Sequence, residues 1–218
     1  MQLTIQLVNM PRPKAAESAS RARLFAAAAT EFAARGYAGA SVDRIARAAR
    51  VNKAMIYYHF RSKAALYREI LNEMFDAVRH RVAAVAQAPD APAAKIRRYV
   101  EAIAEEARAR PHFPPIWLRE LAEGGEHLDR VSLSHIRGVL AALHAILDEG
   151  VGDGGFRPVN PLMLQASIIA PLMFFSATAQ VRRKLGRHGA FAGAAMSPAA
   201  VVAHIQQLAL AQLEGRVV

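Results

Sequence analysis

The chain has 218 residues, 53% of them apolar, with no cysteine and a formal net charge of +10. Without thiols it holds neither disulfides nor thiolate metal sites, and nothing marks an oxidising compartment. No consecutive apolar run reaches the ~18–20 residues that cross a bilayer; the most apolar patch, 168–175, is short and contains Pro171.

The charge is uneven. Residues 1–63 carry eleven Lys and Arg against three Asp and Glu, whereas residues 64–218 carry 17 against 15. Such asymmetry sets one segment against a polyanion, either nucleic acid or an anionic membrane surface.

Residues 1–16 show no helical period and contain Pro11 and Pro13, which predicts a flexible tail in which Arg12 and Lys14 form a basic arm. Met10 opens MPRPKAA, a plausible start in its own right, and the first residues lack the basic leader and apolar core of a signal peptide, so the expected location is the cytoplasm. A first helix is predicted from Ser18 or Ser20 to Arg35, on the stripe Leu24, Phe25, Ala28 and Phe32, with Gly36 as its stop. Ser41 caps a second helix ending near Arg50, with Asp43 in its first turn and Val42, Ile45, Ala46 and Ala49 on one face. After a turn of about two residues, Asn52 caps a third helix over Lys53–His59, anchored by Ile56 and Phe60; Ser62 caps a fourth that runs towards Ala88.

Two short helices joined by a tight turn and braced by an earlier one make a helix-turn-helix, whose second helix enters the major groove by its N-terminal end. Lys53, Ala54 and Met55 then meet base edges: lysine donates to guanine acceptors, and Ala and Met offer apolar contact to a thymine methyl. A tyrosine on this helix donates its hydroxyl to a phosphate while its ring packs on the scaffold.

The spacing of Phe32, Gly36, Ser41-Val42, Ile45-Ala46, Ala49-Arg50-Val51-Asn52, Tyr57-Tyr58-His59-Phe60 and Ser62-Lys63 resembles the TetR family of bacterial transcriptional regulators over about 26–66. Two residues depart from the family pattern. Arg50 stands where a turn glycine is usual, at a cost of about 1 kcal/mol if the turn needs positive φ, and it adds a candidate phosphate contact. Asn52 replaces the usual Ser or Thr and keeps the capping function. The resemblance implies an all-α homodimer on a two-half-site DNA operator, with domains over 17–63 and 64–218. It puts Ser41, Tyr57, Lys63 and His59 on phosphates, and Lys53, Ala54, Met55 and Tyr58 nearest the bases.

Residues 64–218 read as all helix, with segments Lys63–Ala88, Pro92–Arg110, Pro115–Glu123, Leu128–Glu149, Pro161–Leu185 (kinked at Pro171) and Pro198–Glu214. Asn160-Pro161 and Ser197-Pro198 read as cap and first helical residue. The family resemblance implies a ligand pocket here and dimerisation through the last long helices. The dimer candidates are Val201, Val202, Ile205, Leu208, Ala209 and Leu213. The pocket candidates are His112, Phe113, Trp117, His144, Met173, Phe174 and Phe175, for an apolar or aromatic effector. No P-loop, HExxH, GxSxG or GxGxxG motif is present, and the eight histidines lack metal-ligand spacing, so the sequence calls for no enzyme, metal or cofactor. The alternative, a basic helical adaptor on a membrane or protein surface, explains the charge but not the ordered caps and turn of Ser41–Lys63.

Overall fold

The computed structural model describes residues 14–187 and 196–215. The described chain is helical throughout and divides into two compact units, one ending at Leu66 and the other beginning at Tyr67. The expected basic arm at Arg12 and the start at Met10 lie outside the described residues.

In the first unit α1 (Lys14–Gly39), α2 (Val42–Ala49) and α3 (Ala54–Phe60) pack around Leu24, Ala28, Phe32, Ile45, Ala49, Ile56 and Phe60, all buried. Helix α1 begins four residues ahead of Ser18, so the end of the expected tail is helical; Ala15 and Ala16 favour helix and Glu17 suits its first turn. Gly36 breaks α1 as expected, with a φ of 70° that a β-carbon would oppose. Ser41 sits at the N-cap of α2 in extended conformation, but its side chain makes no capping bond. Instead Glu31 accepts from Ser41 N–H at 3.2 Å and from Arg44 Nε at 2.6 Å, tying α1 to the start of α2. Asn52 Oδ1 accepts from Ala54 N–H at 2.8 Å and its carbonyl from Met55 N–H at 2.9 Å, so it organises the first turn of α3. Ser62 Oγ accepts from Ala65 N–H at 3.0 Å and opens α4 (Lys63–Gln87).

The second unit contains most of α4 and then α5 (Pro92–Ala109), α6 (Phe113–Ala122), α7 (Arg130–Gly152), α8 (Pro161–Ala177), α9 (Ala179–Arg187) and α10 (Pro198–Glu214). Boundaries differ from expectation at α6, which opens two residues early at Phe113, and at α7 and α8. Helix α7 starts after Asp129, whose carboxylate accepts from Val131 and Ser132 N–H, so this cap rather than Leu128 sets the start. Its end runs past Glu149 because Gly150 leaves room for Phe156; a β-carbon there would fall 2.0 Å from the ring. Pro171 lies inside α8 without ending it, and the bend of 56° comes further on, at Thr178. There the Thr178 hydroxyl donates to Phe174 O and accepts from Arg182, satisfying the helix end.

By length and mean hydropathy, α7 passes the test for a membrane-crossing helix, and bent α8–α9 passes as a pair, which a search for unbroken apolar runs does not detect. The side chains of Val139, Leu143, Ile146 and Leu147 are buried, and α7 packs on α5 and α8.

Two stability outcomes follow. Arg50 takes the left-handed conformation, φ 55° and ψ 47°, so Arg50→Gly should stabilise the protein by about 1 kcal/mol in denaturant titration. A loss of stability would mean that the arginine side chain more than offsets its backbone strain. Asp129→Ala should cost about 1 kcal/mol through the lost cap. Burial pushes the Asp129 carboxyl up, but hydrogen bonds from Ser132, Asn72 and Val131 outweigh it and hold the pKa below the usual range. The wild-type advantage should therefore be full above about pH 5 and fade as pH falls through the lowered pKa; equal acid limbs for the two proteins would contradict this role.

Candidate nucleic-acid interface and ligand cavity

The short α3 is held from below by Ile56 and Phe60 and presents its N-terminal end outward. Lys53 and Ala54 are exposed and Met55 is half-buried there. Asn52 and Arg50 flank them on the surface, with the Asn52 side-chain carbonyl already committed to α3. Lys53 Nζ pairs with Asp43 at 2.9 Å, and that hydrogen bond holds the ammonium pKa above its ordinary value. Tyr57 is 48% exposed. Lys63 lies over the Tyr37 ring, 4.5 Å from its centroid, a contact that positions the ammonium without neutralising it.

Two expected DNA contacts point elsewhere. Ser20 donates its hydroxyl hydrogen to Glu17 O at 2.8 Å, so it accepts from His59 Nε2 at 2.8 Å. His59 is half-buried and joined to α1 by this bond. Tyr58 is 66% exposed, but its hydroxyl donates to Glu17 Oε1 at 2.8 Å, directed towards α1 rather than towards base edges.

In the second unit a cavity of about 470 Å³ opens among α4, α5, α6, α7 and α8. Phe113, Trp117, Met173 and Phe174 line it, as the sequence suggested, together with Phe75 and Ile103. Three other candidates do not. His112 lies at the start of α6, where burial holds its pKa below the ordinary value. His144 is exposed on α7 and faces Asp148 at 3.6 Å. Phe175 lies beneath the Arg182 guanidinium, 3.6 Å from the ring centroid, outside this cavity.

Gln165 was missed, and its signal was a single amide in an otherwise apolar helix face. The fold also gathers Glu120, Glu123 and His127, although the histidines are scattered in sequence. His127 Nδ1 lies 2.8 Å from Oε1 of the wholly buried Glu120, a bond that partners the buried carboxylate.

The proposed dimer stripe is largely internal. Val201, Ile205, Ala209 and Leu213 are buried in the protomer, where α10 packs on α5 and α8; of the stripe, only Leu208 and part of Val202 reach the surface. An apolar helical period marks the side that is covered, and here the protomer itself covers it.

Comparison with known proteins agrees with both units. Residues 24–70 match the model of bacterial regulatory proteins of the tetR family, and residues 92–210 match a Tetracyclin repressor-like C-terminal domain. The chain belongs to the TetR family. It is a helix-turn-helix, DNA-binding regulator of transcription. It is 47% identical over 55 residues to the transcriptional repressor SCO4008 of Streptomyces coelicolor, a match spanning 25% of this chain and 29% of that protein. It is 27% identical over 146 residues to the transcriptional regulator RutR of Escherichia coli K12, covering 67% and 68% of the two chains. A tetR-family regulatory protein from Rhodococcus RHA1 shares the fold, with a TM-score of 0.68 at 20% identity over 89% of this chain and 96% of its own. The regulator SCO4942 of Streptomyces coelicolor gives 0.64 at 26% identity, covering 89% and 98%.

The Lys53–Asp43 pair occupies the ammonium of an expected DNA contact. Asp43→Asn should therefore raise affinity for any duplex, by up to about fivefold at low salt, the range of an exposed pair. Fluorescence anisotropy on unrelated duplexes checks this, and unchanged affinity would show that the pair survives on DNA.

Proposed function

We propose that this regulator acts as a homodimer that places one α3 in each of two successive major grooves of a pseudo-palindromic operator, and that a small apolar effector changes its affinity for DNA. The observation that carries the reading is the exposed end of α3, Lys53 and Ala54 with half-buried Met55, mounted on buried Ile56 and Phe60. Lys53, Ala54 and Met55 read bases; Ser41, Arg50, Tyr57 and Lys63 bind phosphates and set the register. The half-site spacing follows from the duplex, one helical turn or a multiple of it.

The dimer forms through the uncovered apolar positions of α8 and α10. Leu162, Met163 and Phe174 on α8 are each more than 60% exposed, and Phe174 shares a groove with Ala200 and His204 of α10. Apolar surface of this kind is covered by association in a protein that works on two half-sites. The effector occupies the cavity lined by Phe113, Trp117 and Met173, and releases DNA in proportion to its preference for the conformer that fits the operator less well. The relative SCO4008 is a repressor, and repression is the outcome proposed here, exerted in the cytoplasm where the operator lies.

Selection of bound duplexes from a random library should enrich an inverted repeat at moderate and at raised salt. Binding without sequence enrichment, lost as salt rises, would reduce the protein to a backbone-attracted basic surface. Against the enriched site, Lys53→Ala should change preference at one base pair by about 1–3 kcal/mol, and Tyr57→Phe should weaken all sequences alike. A uniform loss from Lys53→Ala would remove that residue from base reading.

A further inference from the structure

The charge and hydrogen-bond inventory of the α4–α8 cavity restricts what it takes, an inference that rests on that cavity being the effector site. None of the described residues lining it carries a charge. Gln165 is the one amide in the wall, and it is 7% exposed. Its orientation is set from behind by Tyr99, which is wholly buried and lies 2.7 Å from Gln165 Oε1 through its hydroxyl. That distance is the usual length of an O–H···O bond and short for N–H···O. The tyrosine therefore donates and the amide oxygen accepts. Val139 O, 3.3 Å from the same hydroxyl, is the weaker acceptor for its single hydrogen.

With its oxygen already accepting from Tyr99, the polar group of Gln165 still without a bond to offer the cavity is its amide N–H. The remaining polar side-chain atom of the wall, Trp117 Nε1, is also a donor. We infer that the effector is an uncharged, largely apolar molecule carrying a hydrogen-bond acceptor such as a ketone, ester or ether, received by the Gln165 amide N–H. A carboxylate brought here would lose its hydration with no cation to replace it. A ligand offering only donors would leave both its own N–H or O–H and the Gln165 amide without partners. A pure hydrocarbon fits the apolar wall but leaves the Gln165 amide dry. Tyr99 is a positioning residue, since it acts only through the amide it orients.

The test uses four probes of nearly one shape: diphenylmethane, benzophenone, diphenylamine and diphenylacetate, titrated calorimetrically into the full-length protein. Benzophenone should bind about three- to tenfold more tightly than diphenylmethane, with diphenylamine no better than the hydrocarbon and diphenylacetate weakest. Gln165→Leu should erase the benzophenone advantage while keeping diphenylmethane binding, which shows at once that the cavity is still formed. Tyr99→Phe should shrink the advantage, because the released amide can turn its oxygen inward. Equal binding of benzophenone and diphenylmethane by the wild type, or a benzophenone advantage that survives Gln165→Leu, would overturn the inference and leave the cavity as the effector site. Failure of all four probes to bind would overturn the cavity reading as well.

Discussion

A helix as short as α3 does not hold itself together in water, because helices below about 12–15 residues are marginal even with favourable sequences. Burial of Ile56 and Phe60 supplies what the backbone lacks, each side chain contributing about 1.5–3 kcal/mol. The consequence reaches the surface. Once those two positions face the core, the helical period puts Ala54 and Tyr58 on the far side and Tyr57 on the flank, while Lys53, just ahead of the first residue of α3, is exposed and paired with Asp43. The polar bonds around α3 have the same purpose. Glu31 joins α1 to α2 through Ser41 and Arg44, Asn52 shapes the first turn of α3, and Glu17 and Ser20 hold Tyr58 and His59.

The second unit separates its chemistry from that of the first. Its cavity is apolar and without charge among the described lining residues, while ionic groups of the same unit pair outside it, Lys95 with Glu149 and Arg110 with Glu73. A neutral interior makes each polar atom in the wall count, because water no longer competes for it. This is why a single buried amide, oriented by a single buried tyrosine, carries more discrimination than the larger number of polar groups on the exterior.

Several features legible in the sequence have a local cause, although the Ser41 side chain leaves its cap unbonded and Asp129 rather than Leu128 opens α7. The break at Gly36, the first-turn bond of Asn52, and the caps at Ser62, Asn160 and Ser197 are each a side chain or a missing side chain acting on backbone within a few residues. The reading of the sequence failed where the partner is distant in sequence. Tyr58 lies opposite Ile56 and Phe60 on a helical wheel and His59 on the flank, yet both bond to a helix some forty residues earlier. The stripe on α10 has the period of a covered face, but periodicity states only that a face is covered, not whether by this protomer or by another. The burial of Val201, Ile205 and Leu213 answers that question, and the dimer proposed here uses exposed positions of α8 and α10 instead.

By itself, the sequence determined that the chain is helical, where most helices start and stop, and that its basic excess is concentrated around a turn flanked by two short helices. Those properties follow from nearest-neighbour physics: capping, conformational freedom and the period of apolar residues. Only the tertiary structure decided which polar side chains remain available. Lys53 and Tyr57 are exposed and His59 is half-buried; Gln165 lines a cavity with its oxygen bonded to Tyr99, and His144 faces solvent. The reason is that a hydrogen bond or a packed surface is settled by the group that comes to lie opposite, and that group is chosen by the folding of the whole unit.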